Sequence, residues 1–253
     1  MSAPAPSTLR FFHRAILVCG LVAVVAASWA YLWWMSRPML PAMTMPMPGA
    51  HHAAAPVAIM WVVMMGAMML PTAAPMVLIH ARFAAGRYPG ARVAVHPILF
   101  ASGYVLVWAA FGLVAAAAQL ALTRAAALDP MAGKLAAPEM ASAVLIIAGA
   151  FQLSPLKTAC LGRCRSPIGF FMTRWREGKT GAVAMGLSHG AFCVGCCWAL
   201  MLVMFVVGVM NLLWIAALSA LMLIEKIAPH PRVITAATGT LTIAAGILLL
   251  VAG

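Results

Sequence analysis

One histidine and three cysteines lie at helical spacing in the most apolar stretch of the chain. These residues are His189, Cys193, Cys196 and Cys197, and no Lys, Arg, Asp or Glu occurs between positions 182 and 224. At about 100° per residue on an α-helix, the four side chains fall within an arc of roughly 100°. A single buried cysteine is ordinary packing, but thiolate and imidazole together are ligands of Cu(I) and Zn(II). We predict a metal site on this face, with Cu(I) as the ion and Zn(II) as the alternative.

Methionines continue this stripe and line an earlier helix. Met185 and Met204 extend the stripe at its two ends, and Met60, Met64 and Met68 share one face of the second apolar segment. Methionine is a flexible filler of apolar cores, and thioethers are also soft ligands that suit Cu(I). We predict that these side chains relay the ion.

A Pro- and Met-rich segment, residues 37–56, precedes the Met-bearing helix. Such a composition is typical of segments that pack no core, so we expect an exposed loop. Its side chains would capture the ion, and the candidate ligands are Met43, Met45, Met47, His51 and His52.

Two further cysteines, Cys160 and Cys164, fall in a basic loop over residues 156–181. The neighbouring arginines favour the thiolate form, and a reducing cytoplasm disfavours a structural disulfide. We predict that this pair holds the metal, receiving or releasing it on the cytoplasmic side. Phe170 and Trp175 alternate with Arg and Lys, which predicts an interfacial helix on anionic lipid.

Other polar residues near the ends of apolar segments have simpler interpretations. We expect His80 and His96 to be interfacial. Glu225 follows the sixth apolar segment beside Lys226, and we expect it to be paired or solvated there. Because acids within membranes are rare and often functional, proton or metal contact is kept as a secondary role for Glu225.

The composition is that of an integral membrane protein. The chain has 253 residues, of which 65% are hydrophobic and 8% charged, against about a quarter charged in soluble domains. Four acidic residues leave little room for a carboxylate hydrolase or an oxygen-rich Ca²⁺ site. The net charge of +12 is interpreted as topological, and nucleic acid is not expected as a partner.

The elements that position the site are predicted to be seven transmembrane helices in one domain, residues 1–253. Each apolar segment has about 20 residues, and the uncharged run is divided by a turn near Gly208 to Asn211. With the N-terminus inside and the C-terminus outside, thirteen Lys and Arg lie inside and three outside, as the positive-inside rule requires. We therefore predict an all-α, polytopic helical bundle in a bacterial inner membrane. The segments lie near 15–35, 56–79, 98–120, 139–155, 182–207, 210–225 and 233–252.

The C-terminal third resembles a bacterial family of predicted metal-binding integral membrane proteins with a domain of unknown function. The matching residues, in order and spacing, are Ser154-Pro155-Leu156-Lys157, Cys160, Cys164-Arg165-Ser166-Pro167, Gly186-Leu187-Ser188-His189-Gly190, Cys193-Val194-Gly195-Cys196-Cys197-Trp198, Gly208-Val209-Met210-Asn211 and Glu225-Lys226. The Met-bearing second helix is also similar. The resemblance implies a multi-span membrane protein with a metal site on these Cys and His residues, and it implies no particular activity.

Two classes of function remain open from the sequence. The first is a copper-binding membrane protein for handling, delivery or transport, without enzymatic activity. Its partners would be the lipid bilayer and a periplasmic or cytosolic metallochaperone or a metalloenzyme under assembly. The second is a membrane thiol–disulfide oxidoreductase, because Cys193 and Cys196 form a C-x-x-C pair. The third thiol and the histidine favour metal binding. An assembly factor with a purely structural metal remains a further possibility.

Overall fold

The computed structural model describes residues 7–37, 54–88, 92–129 and 133–252, and these are helical almost throughout. The all-α prediction is confirmed. The helices are α1 Ser7–Ser36, α2 Ala54–Ala85, α3 Arg92–Arg124, α4 Pro138–Leu153, α5 Pro155–Cys164, α6 Pro167–Arg174, α7 Gly178–Leu202, α8 Met204–Val207, α9 Leu212–Ile227 and α10 Pro231–Ala252.

Five segments are long and apolar enough to cross a membrane, which indicates membrane association. They are Ala15–Ser36, Ala54–Ala85, Ala94–Arg124, Gly178–Val207 and Pro231–Ala252. Helices α4 and α5 meet at a bend of 65° and together form a sixth candidate. Helix α9 has 16 residues, and at about 1.5 Å per residue it is shorter than a hydrocarbon core. Each of the seven predicted segments is helical, while seven spans and their orientation remain predictions.

Helices α2 and α7 occupy the centre of the bundle, because other helices cover them on several sides. Helix α3 packs between α2 and α7, α1 covers α2, and α5 lies along α7. Helix α4 pairs with α10. The fully buried side chains Trp61, Tyr104 and Trp108 lie where α2 and α3 meet. The two helices with the predicted ligands are thus the two most enclosed by the others.

Two glycines bring the backbones of α3 and α7 into direct contact. A Cβ atom at Gly186 would overlap the carbonyl of Phe100, and one at Gly103 would overlap the carbonyl of Val183. Small residues permit this close approach in membrane bundles. The contact places Tyr104 of α3 directly beside the ligand-bearing face of α7.

The turn that was predicted between the fifth and sixth apolar segments is present. Gly208 has φ of 99°, a backbone conformation that glycine adopts without steric cost. Asn211 then caps α9, its side-chain oxygen accepting the Trp214 amide at 3.4 Å. The turn chemistry expected for this short sequence is therefore the chemistry observed.

Two prolines interrupt the hydrogen bonding of α2. Pro71 and Pro75 lie within the helix and each lacks the amide that would bond one turn back. Side-chain hydroxyls bond to the backbone in this region, as apolar surroundings require. The Met69 carbonyl accepts Thr72 Oγ1 at 2.8 Å and the Tyr104 hydroxyl at 3.0 Å. These bonds fix α2 against α3 near the candidate site.

The predicted basic loop 156–181 contains two short helices, α5 and α6, and much of it is packed against the bundle. Lys157 is fully buried, and so are Phe170 and Phe171. Phe170 and Phe171 therefore contact protein, while the position of α6 relative to the membrane remains a prediction. Lys157 and Lys226 are both buried, so neither acts as a topological surface charge.

Candidate metal centre

Three cysteine sulfurs converge inside the bundle. Cys164 at the end of α5 joins Cys193 and Cys196 of α7, and all three ligand atoms lie within 4.8 Å of one another. All three residues are buried. The Sγ atoms of Cys164 and Cys196 are 3.9 Å apart. We call this set the thiol centre, and its donors suit a soft ion such as Cu(I) or Zn(II).

Helix α5 is what carries the third sulfur to the centre. Ser154 caps it by accepting the Lys157 amide at 3.1 Å, and Pro155 occupies its first turn, where proline is tolerated. The helix then runs along α7 and ends at Cys164. Cys164, predicted in a loop, is therefore a buried residue at the end of a helix, where its sulfur is one of the three that converge.

Cys160 lies one turn before Cys164 and is half-buried. A Cβ atom at Gly195 would be 3.2 Å from the Cys160 sulfur. The missing side chain at Gly195 therefore leaves room for this thiol next to α7. Cys160 is thus a neighbour of the thiol centre with some exposure, and Cys19 on α1 is exposed and remote in sequence.

The remaining two residues of the predicted stripe occupy different places. Cys197 is buried with its sulfur 3.3 Å from the sulfur of Cys196, so it adjoins the thiol centre. His189 is also buried, but it is outside the three-sulfur group and stacks on the Tyr104 ring at 5.4 Å. The residues that were predicted to form one site are therefore separated. The cysteine sulfurs lie together, and the His189 imidazole lies apart from them on the same helix.

A lysine and two hydroxyls complete the surroundings of Cys193. Lys226 Nζ lies 2.9 Å from the Cys193 sulfur and donates to Thr72 Oγ1 at 2.7 Å. The Tyr104 hydroxyl lies 3.1 Å from the same sulfur. These three contacts do not follow from the sequence pattern, although the charge of Lys226 at the end of a short apolar segment is a usable signal.

A buried ion pair supports the centre from the other side. Lys157 Nζ lies 2.6 Å from Glu225 Oε2 and donates to the Cys196 carbonyl at 2.8 Å. Gln152 donates to Glu225 Oε1 at 2.6 Å. Of the two expectations for Glu225, the pairing is observed, with Lys157 inside the protein, and the solvated carboxylate is not. Both of its oxygens already accept hydrogen bonds, so it positions the centre and is a poor metal ligand.

The methionines of the predicted relay are buried in the apolar cluster that contains the thiol centre. Met60, Met64 and Met68 of α2 belong to it, and so does Met204 of α8. Met185 belongs to a separate aromatic cluster with Phe170 and Phe171. The predicted capture residues are outside the described part of the chain: Met43, Met45, Met47, His51 and His52.

The two histidines predicted at interfaces are both buried. His80 is fully buried, and His96 stacks on the Tyr88 ring with centroids 3.8 Å apart. The interfacial prediction is wrong for His80, because aromatic rings cover it. Phe171 of α6 lies 5.4 Å from His80, and Trp175, the residue after α6, stacks on it at 5.3 Å.

At the end of the bundle near His80, the α2–α3 turn meets the start of α7 through exposed polar contacts. We call it the basic end, because Arg82 at the end of α2, Arg87 in the turn and Lys179 at the start of α7 lie there.

Glu177 accepts the Tyr88 hydroxyl at 2.6 Å and the Trp175 indole N–H at 2.7 Å, and Arg87 Nε lies 3.5 Å away. The bond from Tyr88, followed by that from Trp175, lowers the pKa of Glu177. The same bond to Glu177 raises the pKa of Tyr88.

Fold and site together define a class: an all-α protein with membrane-type helices that encloses a cluster of cysteine sulfurs suited to a soft metal. The family model of PpoB2, described as a copper chaperone, matches residues 58–249. The chain therefore belongs to the PpoB2 copper chaperone family. The match includes α2 and every helix that contributes to the thiol centre. Neither the curated proteins nor the solved structures provide a match.

Proposed function

We propose that this protein is a bacterial inner-membrane copper carrier, which takes up Cu(I), holds it at the thiol centre and delivers it to a partner. The single observation that supports this most strongly is the convergence of Cys164, Cys193 and Cys196 within 4.8 Å. The copper chaperone family to which the chain belongs supports the choice of metal. Copper is the cargo, and the protein's chemistry is ligand exchange.

The charges around the centre favour a monovalent ion. Cu(I) on two thiolates has a net charge of −1, and the ammonium of Lys226, 2.9 Å from Cys193, balances it. A buried charge without such a partner is costly. The third sulfur then serves as the incoming or outgoing ligand. Structural Zn(II) almost always takes four ligands, whereas three sulfurs converge here and the nearby Glu225 oxygens are already bonded.

The methionine face of α2 supports a route into the centre. Met60, Met64 and Met68 are spaced one turn apart and are buried. One turn beyond Met68 lies Thr72, which shares the Lys226 ammonium with Cys193. Neutral thioethers bind Cu(I) without adding charge to the apolar interior. The ion would pass from the segment before α2, residues 37–56, along this face to the thiols.

Release would occur at the other side of the centre. Cys160 is half-buried one turn from Cys164, so a partner's thiolates could reach it more readily than the fully buried sulfurs. The recipient would be a metallochaperone or a metalloenzyme under assembly. With the N-terminus in the cytoplasm, this side faces the cytoplasm.

The oxidoreductase alternative has less support from the geometry. Thiol–disulfide exchange needs access of the attacking thiolate to the sulfur. Cys193 and Cys196 are both 0% exposed, and a third cysteine and a lysine contact them. Such an environment suits an enclosed ion better than a protein disulfide.

Anaerobic purification in detergent and elemental analysis of copper, zinc and iron test the metal site. We expect near-stoichiometric copper in the wild type and its loss in Cys193→Ser/Cys196→Ser. Cys19→Ser is the matched control, because Cys19 is exposed on α1. Unchanged copper in the double variant would exclude the thiol centre. Metal-free protein with a Cys193–Cys196 disulfide would favour the oxidoreductase.

The relay requires a kinetic experiment. We expect Met64→Leu/Met68→Leu in proteoliposomes to retain equilibrium copper binding and to load from outside at least tenfold more slowly. Met140→Leu is the control, since Met140 is 40% exposed on α4. Equal loading rates in all three proteins would rule out a methionine route.

A further inference from the structure

Helices α5 and α6 border a cavity of about 540 Å³ that is lined by two arginines. Arg163 lies near the end of α5 and Arg174 at the end of α6. None of the described residues that line the cavity is acidic. The planar guanidinium of arginine binds phosphate oxygens through two parallel hydrogen bonds. This space, which we call the cationic cavity, therefore has the charge and the donors of a site for a phosphate-bearing anion.

The ring of Phe192 on α7 holds the two guanidinium groups near each other. The guanidinium carbon of Arg163 lies 4.9 Å from the ring centre, and that of Arg174 lies 5.1 Å from it. The two carbons are therefore at most about 10 Å apart. Arg174 also donates to Ser188 Oγ at 3.3 Å. Phe192 does not line the cationic cavity, so its ring does not occupy the space in which an anion would bind.

Neither of these arginines has a carboxylate partner in the described part of the chain. The ion pairs there join Arg87 to Glu177 and Lys157 to Glu225, so both of those carboxylates are engaged elsewhere. Two cations that are held close together repel each other, and an anion that contacts both relieves the repulsion. The two positive charges are therefore available to a ligand from outside the protein.

A free hydroxyl lines the same cavity. Ser166 precedes α6, and its side chain does not cap that helix. A Cβ atom at Gly169 would be 2.7 Å from Ser166 Oγ, so the missing side chain at Gly169 leaves room for this hydroxyl. Thr173 lines the cavity as well, but its hydroxyl donates to the Gly169 carbonyl at 2.8 Å. Ser166 therefore offers a neutral donor in addition to the two charged ones.

The outer face of α6 is apolar and exposed. Ile168 and Met172 are 59% and 74% exposed, and residues four apart share one face of a helix. Phe170 and Phe171 are buried, so the packing of α6 on the bundle leaves the face with Ile168 and Met172 uncovered. A free phosphate ion would use the cationic cavity alone. A phospholipid would use the cavity for its headgroup and this face for its acyl chains.

We propose that the cationic cavity binds the phosphate headgroup of an anionic phospholipid, whose acyl chains lie against Ile168 and Met172. Arg163 and Arg174 bind the phosphate oxygens, and Ser166 donates a further hydrogen bond. Basic residues near a membrane are attracted to the negative charge of anionic lipids, and here two of them line one cavity beside an apolar face. The proposal does not depend on copper, so it can fail or hold independently of the copper-carrier function.

Native mass spectrometry of the full-length protein in detergent tests this site, with phosphatidylglycerol and phosphatidylcholine as the probes. We expect the wild type to bind phosphatidylglycerol roughly tenfold more tightly than phosphatidylcholine, and Arg163→Gln/Arg174→Gln to lose this preference. Arg82→Gln/Lys179→Gln is the matched control and should keep it, because it removes two exposed charges that do not line the cavity. An equal loss in both double variants would overturn the site in favour of diffuse surface charge.

A second experiment distinguishes a lipid from a free anion. Ile168→Ser/Met172→Ser should weaken phosphatidylglycerol binding roughly fivefold, because the acyl chains lose apolar contact. Millimolar inorganic phosphate should not displace the lipid from the wild type. Displacement by phosphate, or full lipid affinity in the serine variant, would overturn the lipid as the occupant. All four substituted side chains are exposed, and circular dichroism checks that each variant keeps its helical content.

Discussion

The ammonium of Lys226 lies 2.9 Å from the sulfur of Cys193, so a cation from α9 is part of the thiol centre on α7. The same ammonium donates to Thr72 Oγ1 of α2 at 2.7 Å. Three helices are thus joined at one charged nitrogen in the interior. In the proposed copper carrier, this nitrogen would balance the negative charge of a bis-thiolate Cu(I) complex.

We expect Lys226→Met to weaken Cu(I) binding by at least tenfold, about 1.4 kcal/mol. The reason is that the copper–thiolate complex would then carry an uncompensated charge in an apolar interior. Competition with a chelator of known affinity measures the effect. Lys179→Met, which removes an exposed lysine, should leave the affinity unchanged. Tighter binding in Lys226→Met would show that the ammonium obstructs the metal.

The Lys157–Glu225 pair is expected to contribute to stability only as a pair. Lys157→Met or Glu225→Gln alone leaves a buried charge unmatched and should cost on the order of 3 kcal/mol. Lys157→Met/Glu225→Gln should be less destabilised than either single variant. Thermal unfolding in detergent, followed by alkylation of the newly exposed cysteines, compares the four proteins. Additive losses in the double variant would contradict the pairing.

The contact between α3 and α7 is expected to tolerate no added methyl group. Gly186→Ala places a Cβ against the carbonyl of Phe100, so the helices must separate, at a cost of roughly 1–3 kcal/mol. Gly66→Ala is the matched control, because no atom lies within 4 Å of a Cβ there. The melting temperature and the copper content should both fall in Gly186→Ala and should remain unchanged in Gly66→Ala. Equal stability of the two would show that the helices are further apart.

The Glu177 contacts predict an acid-sensitive closure of the basic end. Hydrogen bonds from Tyr88 and Trp175 lower the pKa of this carboxyl. The stabilisation of the folded state by the ionised Glu177 carboxylate is therefore complete above the ordinary glutamate pKa of about 4.3. It is lost as the pH falls through the lowered pKa of the folded state. On acidification, the melting temperature of the wild type should fall more than that of Glu177→Gln. Glu139 is at an exposed position on α4, so Glu139→Gln should behave as the wild type does.

Local patterns in the sequence predicted the elements and part of the site. Helical periodicity placed Cys193, Cys196 and Cys197 on one face, and Gly208 with Asn211 marked the break after α8. Both inferences use only neighbours in the chain, where spacing determines geometry. The sequence does not fix the number of spans. Helices α4 and α9 have 16 residues each, which is fewer than the roughly 20 that cross a membrane.

The parts that sequence reasoning missed depend on contacts between distant residues. Cys164 reaches Cys196 across 32 positions and Lys226 reaches Cys193 across 33. An amphipathic, basic segment such as 156–181 has the same pattern whether its apolar face meets lipid or protein. Only the packing of α5 and α6 decides between these two possibilities.

The close contact of Gly103 and Gly186 has a mechanical consequence. Transporters that work by alternating access rock one group of helices against another. Here α3 and α7 touch backbone to backbone, and a shift of one turn would drive side chains of neighbouring residues into the opposite carbonyls. The two helices that hold Tyr104, Cys193 and His189 therefore move as one body. In the proposed copper carrier, an ion would therefore pass from ligand to ligand by changes of side-chain rotamer, without movement of these two helices relative to each other.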